Sequence, residues 1–303
     1  MNRLPLLLAA LVLLLAGCGD DRSGTLGPAP TAASPTTAPP ATSPRPAAPP
    51  PQVSSPPPTA ASWAPASGTP TPRPTGTRTT TTVQLWFVRD GTLAPTRRTR
   101  AATVATSRLA LAELAAGPTP AETRAGMATL VPGPVEVTRI AGGTATVVPP
   151  PAFAAGDERA LRLRRAQVVW TLTQFPAVRR VAFTGGPAEL VLTRADLDDL
   201  LAPIVVTEPV VGQRVTRPVT VAGTANVYEA TVSIRVLDAS GRVVGTGFTT
   251  ASCGTGCRGD YRATVTYRLP AAGAGAVEVY EVSPQDGSRA HVVTIPVQLA
   301  ATG

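Results

Sequence analysis

The run AQVVWTLTQFP, residues 166–176, sets the architecture of the first folded region of this chain. It is the C-terminal part of a predicted helix that begins after Asp157, a residue type that caps helices, and ends at about Phe175, because Pro176 cannot continue it. Apolar side chains recur at helical spacing and are expected to face a core: Leu161, Val168, Leu172 and Phe175. The opposite side of the helix carries Arg159, Arg162 and Arg165.

A second helix is predicted over residues 104–116. Gly117 is placed to cap its C-terminus, and Pro118 stops it. The side expected to face the core carries Val104, Leu111 and Leu114, with Leu109 beside them.

Predicted strands accompany these helices at residues 82–88, 135–140, 144–148, 178–184 and 189–192. The strands at residues 135–140 and 144–148 form a hairpin that turns at Gly142 and Gly143. Residues 193–196 resemble a capping box before a short terminal helix. The order is strand, helix and hairpin, twice. It predicts an α+β domain over residues 83–202, with the sheet on one side and the helices on the other.

The run at residues 166–176 closely resembles the signature helix of the GerMN domain, which occurs in sporulation and spore-germination proteins. The helix end at residues 114–119, the hairpin around Gly143 and the strand at residues 178–183 follow in the family's order. The resemblance covers nearly all of residues 83–202 and implies a structural module without an active site. Because its relatives in spore formation look like ring-building modules, it also implies self-association or scaffolding.

Residues 203–300 carry short strands with alternating apolar and polar residues, and no helix is indicated. Strands are predicted at residues 204–206, 219–222, 231–237, 243–250, 261–268, 276–282 and 291–298. Turns fall at residues 238–241 and 285–288. This spacing predicts an all-β sandwich of immunoglobulin-like type.

Segments 220–225, 236–241 and 278–288 of this second region resemble the immunoglobulin-like domain associated with GerM and bacterial spore germination. The two resemblances occur in tandem, so each strengthens the other. Lipid-anchored versions of such proteins need not come from spore-forming organisms.

The N-terminus has the three parts of a secretory signal over residues 1–17: a basic start, a short apolar core and small residues before Cys18. The sequence Leu15-Ala16-Gly17-Cys18 looks like the bacterial lipobox, which implies lipidation of Cys18 and a membrane anchor. The alternative is an ordinary secretory signal followed by a chance cysteine. The apolar core is shorter than the about 20 residues that a membrane-spanning helix needs.

Residues 18–82 are expected to form a disordered linker after the lipidated cysteine. The segment is rich in Pro, Thr and Ala, and 17 of the chain's 34 prolines lie between residues 28 and 74. Such a composition favours an extended stalk that holds the folded domains away from the membrane.

The two remaining cysteines, Cys253 and Cys257, are predicted to form a disulfide. Two glycines between them allow the chain to bend back, and closing so short a loop contributes roughly 2 kcal/mol in the chain-entropy model. The alternative is a metal or redox dithiol, but no histidine or further cysteine lies nearby to complete a metal site.

The net charge is +8, and every basic side chain that contributes to it is an arginine, since the chain has no lysine. These arginines are spread along the chain rather than interleaved with aromatic residues, so nucleic-acid binding is not expected. A weak attraction to anionic lipid or wall polymer is the more reasonable consequence.

Catalytic chemistry is not indicated. His291 is the only histidine and lies in a predicted strand. A Ser-His-Asp triad would need this histidine in a pocket together with a serine and an aspartate. Asp196, Asp198 and Asp199 resemble a carboxylate site, but their place at a helix start favours dipole and solvent roles. No catalytic, metal-binding or cofactor-binding residue is therefore predicted.

Together these features predict a non-catalytic, lipid-anchored scaffold or binding protein on the extracytoplasmic face of the cell membrane. It is expected to act through self-association or an envelope protein partner. Two alternatives stay open. One is a module that binds a cell-wall polymer such as peptidoglycan, and the other is a wall-active hydrolase that depends on Asp196 or His291.

Overall fold

The computed structural model describes residues 79–186 and 188–302. The predicted signal peptide at residues 1–17, the lipidation site Cys18 and linker residues 19–78 lie outside the described residues, so these predictions stay predictions. The first strand, β1 (Thr80–Arg89), begins within the last residues assigned to the linker. Both predicted domains lie within one compact unit, residues 72–303.

A long antiparallel hairpin opens the first domain, formed by β1 and β2 (Thr92–Ala101) and turning at Asp90 and Gly91. The sequence analysis did not predict β2. Pro95 and three arginines interrupt the apolar pattern of this strand, and an internal proline argues against a strand. Its partner β1 is almost continuously buried and aligns with it over ten residue pairs.

Three α-helices follow: α1 (Thr106–Ala116), α2 (Pro120–Arg124) and α3 (Glu158–Leu172). Gly117 caps α1 as predicted, but Val104 precedes the helix and is fully exposed, so its assignment to the core was wrong. Asp157 caps α3 as predicted, accepting a hydrogen bond from the Ala160 amide at 2.7 Å. The helix ends three residues before Phe175.

A four-stranded sheet completes the first domain, in the order β3 (Glu136–Ala141), β4 (Thr144–Val148), β5 (Arg180–Phe183), β6 (Leu190–Leu192). Only the β4–β5 pair is parallel, as expected for strands that are joined through α3. Short 3-10 helices follow β4 at Pro151–Ala154 and β6 at Ala195–Leu200. The α+β fold class is thereby confirmed.

The first core lies between the helices, the β1–β2 hairpin and one face of the four-stranded sheet. Trp86 of β1 contacts Trp170 of α3, with ring centroids 4.7 Å apart. Beside them Gln167 is fully buried and bonds to two backbone groups. The signature helix is therefore the central element of this core.

The second domain has eight strands: β7 (Ile204–Glu208), β8 (Arg214–Val215), β9 (Val219–Ala225), β10 (Thr231–Asp238), β11 (Val243–Thr250), β12 (Gly259–Val265), β13 (Gly273–Val282) and β14 (Arg289–Leu299). A five-stranded sheet in the order β11-β10-β13-β14-β8 packs on a three-stranded sheet in the order β12-β9-β7. The predicted immunoglobulin-like sandwich is confirmed. The two-residue β8 is the one strand of this domain that periodicity could not show.

None of the helices in the described ranges is long and apolar enough to cross a membrane.

Candidate functional site

His291 lies at an irregularity in the strand pairing rather than in a catalytic pocket. Its backbone has a φ of 51°, next to the register shift between Val279 and Glu281. The side chain is about half exposed, and its Nε2 atom lies 3.5 Å from a Glu281 carboxylate oxygen. The same carboxylate accepts a hydrogen bond from the Tyr228 amide at 2.7 Å. This arrangement connects strands β13 and β14 to the turn at Tyr228.

The three aspartates near residue 196 have separate partners. Asp196 accepts hydrogen bonds at 2.7 Å from the amide and hydroxyl of Thr193, which lower the pKa of its carboxyl group. Asp199 forms a bidentate ion pair with Arg162, at 2.9 and 3.0 Å. Across residues 79–186 and 188–302, no three metal-ligating side chains come together.

Cys253 and Cys257 are joined by a disulfide, with their Cα atoms 5.7 Å apart. The loop that it closes packs on residues 226–230. The Thr255 amide donates to the Val227 carbonyl at 2.9 Å, and the Gly256 amide donates to the Asn226 side chain at 3.0 Å. The loop is therefore held by its own cross-link and by the neighbouring loop.

Arg258, directly after this disulfide, connects the second domain to the junction between the domains. Its Nη2 atom donates to the Ala202 carbonyl at 3.0 Å, and its Nε atom lies 3.5 Å from the Asp198 carboxylate. Burial lowers the pKa of Arg258, and the charge of Asp198 opposes that effect. The sequence analysis treated this loop as a local cross-link and missed its contact with the junction.

Strand β7 belongs to both domains. Val205 packs into the core of the first domain, whereas its neighbours Ile204 and Val206 pack into the core of the second. The sequence left open whether the junction is stiff or hinged. Because alternate side chains of one strand are buried in different cores, the junction is a packed interface rather than a hinge.

Replacing Arg258 by Gln is expected to lower the free energy of unfolding by about 1.5–3 kcal/mol, the usual contribution of hydrogen bonds to a charged group. It should also speed exchange of the Asn226 amide hydrogen, which donates to the Pro203 carbonyl at 2.8 Å. Urea unfolding and amide exchange measure the two effects. The control is Arg262→Gln, which removes an exposed ion pair to Glu208 and should cost less than about 1 kcal/mol. Equal effects of both variants would contradict a junction role for Arg258.

The outer face of the four-stranded sheet is left open. The strand register places Arg139, Thr146, Ala182 and Val191 in one row across it. Val191 is 44 % exposed, and Val148, which is also on this face, is 37 % exposed. The helices pack on the other face, whose side chains lie in the core. Ala182, which lies between Thr146 and Val191 in this row, is 1 % exposed, so we call the surface formed by residues 139, 146, 148 and 191 the open face.

A cleft of about 300 Å³ lies beside β5, between residues 149–151 and Leu190. Phe153 and Phe183 line it with their ring centroids 6.0 Å apart. Arg165 is the only titratable side chain in its lining, so the cleft supplies no acid–base pair.

Family models match both folded regions. Residues 72–186 match the model described as "Sporulation and spore germination", and residues 203–288 match the "Immunoglobulin-like domain of bacterial spore germination". The two folded domains of this chain belong to these two families. Neither the germination domain nor the immunoglobulin-like domain comes from a family with a known catalytic role.

Several solved structures are similar to parts of this chain. The tandem GerMN domains of the sporulation protein GerM from Bacillus subtilis are 16% identical, with a TM-score of 0.34. The match covers 62% of each chain, so this chain spans less than two thirds of that structure.

Two further structures, each 16% identical, match 33% of this chain. They are CopC from Methylosinus trichosporium OB3b, 96% covered with a TM-score of 0.23, and WR4, a C. elegans MSP family member, 99% covered with a TM-score of 0.20. No curated protein matches the chain.

Proposed function

We propose that this chain is a lipid-anchored, extracytoplasmic scaffold of the cell envelope that acts through protein–protein association and not through catalysis. The observation that carries the proposal is the open face of the germination domain, where Val148 and Val191 are exposed on a sheet that the helices cover on one side only. Sheet faces normally bury their apolar side chains against another layer. A second protein surface would supply that layer.

The location follows from the N-terminal sequence. Leu15-Ala16-Gly17-Cys18 resembles a lipobox, and a lipidated Cys18 would anchor the chain at the outer surface of the membrane. The segment rich in Pro and Thr that follows would separate the folded tandem from the lipid. The disulfide at Cys253 fits an oxidising compartment outside the cytoplasm.

The packed junction supports a scaffold role. Because β7 contributes to both cores and Arg258 bonds to the junction backbone, the germination and immunoglobulin-like domains hold one mutual orientation. A stiff tandem presents its surfaces at defined positions, and preorganised surfaces lose less entropy when they bind.

Size-exclusion chromatography with light scattering tests the proposal on residues 72–303, across a tenfold concentration range. The expected result is an oligomer whose mass rises with concentration. Val191→Glu should weaken the association by at least about tenfold, because it would bury an unpaired carboxylate in the contact. The control is Val243→Glu, at a valine of the immunoglobulin-like domain that is 42 % exposed, and it should leave the association unchanged. A monomer at every concentration contradicts self-association and leaves an envelope partner to be sought by crosslinking.

A further inference from the structure

A row of exposed side chains crosses the outside of the five-stranded sheet of the immunoglobulin-like domain. Ser233 pairs with Phe248 on one neighbouring strand and with Tyr280 on the other. Directly paired residues point to the same side of a sheet, so the two rings flank the small serine on one surface. Phe248 is 75 % exposed, and Val292, at the end of the row, is 45 % exposed. We call this surface, with Phe248, Ser233, Tyr280 and Val292 at its centre, the aromatic face.

A fixed ionic network surrounds Tyr280. Glu278, buried on this face, pairs with Arg235 at 2.7 Å and also with Arg289. The two guanidinium groups lie over the Tyr280 ring, 5.5 and 5.9 Å from its centroid. Two cations thus share one carboxylate, and Arg289 remains 46 % exposed. The network holds the ring in place and leaves one positive charge in excess at the surface.

Hydroxyl groups make up much of the remaining aromatic face. The register places Thr246 beside Arg235, Thr294 beside Glu278, and Thr250 beside Thr231. Protein–protein contact surfaces are depleted in serine and in charged residues at their centre. Phenylalanine, tyrosine and arginine are enriched at protein interfaces, so the features of the aromatic face that favour a glycan are its hydroxyl groups and its excess positive charge.

We propose that the aromatic face binds an acidic polysaccharide. Pyranose rings have one flat C–H surface, which packs on the electron-rich face of an aromatic ring, and a rim of hydroxyl groups, which bond to threonine, serine and arginine. Phe248 and Tyr280 lie two strands apart, which separates their Cα atoms by about 10 Å, so a sugar packed on Phe248 would place the next pyranose ring beside the arginines that lie over Tyr280. A carboxylate of the polymer, on a sugar or on an attached peptide, would neutralise the excess charge at Arg289. The biological setting of this site rests on the proposed extracytoplasmic location.

The test measures depletion of the full chain from solution by purified, insoluble peptidoglycan, whose carboxylates make it an acidic glycan polymer. We expect saturable retention at moderate salt. Phe248→Ala should weaken it by about tenfold or more, because a buried aromatic contact is lost. Arg289→Gln should weaken it and make the remaining retention less dependent on salt. Neither change removes a buried core residue, and thermal unfolding followed by circular dichroism checks that both variants fold.

Matched controls distinguish binding at this site from nonspecific adsorption to the polymer. Val104→Ala removes a fully exposed apolar side chain from the other domain, outside the open face, and Arg268→Gln removes an exposed arginine outside the aromatic face. Both should retain the wild-type affinity. Cellulose, a neutral polymer, should retain less protein than peptidoglycan.

Three results would overturn the proposal: no retention of the wild-type chain, retention that Phe248→Ala leaves unchanged, or equal retention on cellulose. Light scattering on the same variants shows whether a second copy covers the aromatic face instead. If Phe248→Ala abolishes an oligomer and leaves peptidoglycan binding unchanged, the face is a protein interface and the polysaccharide proposal fails. Because the scaffold proposal is tested by Val191→Glu on the open face, each proposal can fail without the other.

Discussion

Replacing Glu122 by Gln is expected to lower the free energy of unfolding by about 3–5 kcal/mol, the usual effect of breaking a buried ion pair by removing the charge of one partner. The carboxylate of Glu122 is 2 % exposed, and Arg98, its partner on β2, is 8 % exposed. Arg98 Nη1 donates to it at 2.8 Å, and the amide of Thr119 donates at 2.8 Å. The substitution would leave the buried Arg98 cation with only the more distant Glu113 carboxylate, 4.0 Å from its Nε atom, as a counter-charge.

The effect is measured by urea unfolding of residues 72–303 at neutral pH. The matched control is Asp199→Asn, because Asp199 forms a bidentate pair with Arg162, at 2.9 and 3.0 Å, and these side chains are 58 % and 38 % exposed. That variant should lose less than about 1 kcal/mol, since solvent screens the pair. A similar loss of unfolding free energy in both variants would show that burial of the ion pair does not determine the size of the effect.

The same residue makes stability depend on pH. Burial by itself raises the pKa of Glu122, but hydrogen bonds from Arg98, Thr96 and Thr119 outweigh it and hold the pKa below its usual value of 4.5. A carboxyl group with a lowered pKa in the folded state stabilises the protein above the unfolded-state pKa, and that stabilisation is lost as the pH falls through the folded-state pKa. The difference between the wild-type chain and Glu122→Gln should therefore shrink as the pH falls below about 4.5.

Replacing Gln167 by Met is expected to lower the free energy of unfolding by about 2–6 kcal/mol, because two buried backbone groups lose their partners at about 1–3 kcal/mol each. The Gln167 amide nitrogen donates to the Trp86 carbonyl at 3.0 Å, and its oxygen accepts from the Leu130 amide at 2.9 Å. Methionine has a similar length but supplies neither bond. Chemical unfolding measures the loss.

Gln174 provides the control. Its side chain also bonds to the backbone, to the amide and the carbonyl of Gln84, each at 2.7 Å, and to the Thr171 carbonyl at 2.6 Å, but it is only partly buried. Water can replace its bonds, so Gln174→Met should cost clearly less than Gln167→Met. If the two variants lose the same free energy, the argument from burial is wrong.

The boundaries of most elements could be predicted because their signals are local. Asp157 and Gly117 cap helices through contacts within a few residues, and Gly142 and Gly143 turn a hairpin with positive φ values of 57° and 79°. Alternating residues gave seven of the eight strands of the immunoglobulin-like domain. The resemblance to the two germination families rests on the same local runs, and the family models match them.

The candidate surfaces depend on contacts between distant segments, so the sequence could not show them. Strand β2 looks too polar for a sheet until Glu122 of α2 supplies a buried counter-charge to Arg98. Phe248 and Tyr280 lie on one face only because β10 pairs with both of their strands.

The sequence by itself determined the α+β domain and the sandwich that follows it, because capping residues, turn glycines and apolar periodicity act over a few residues. Tertiary structure alone decided three other features: the burial of the Arg98–Glu122 pair, the sharing of β7 between two cores and the placement of Arg258 at the junction. Each of them depends on strand register and packing between segments far apart in the chain, and no local pattern encodes that pairing.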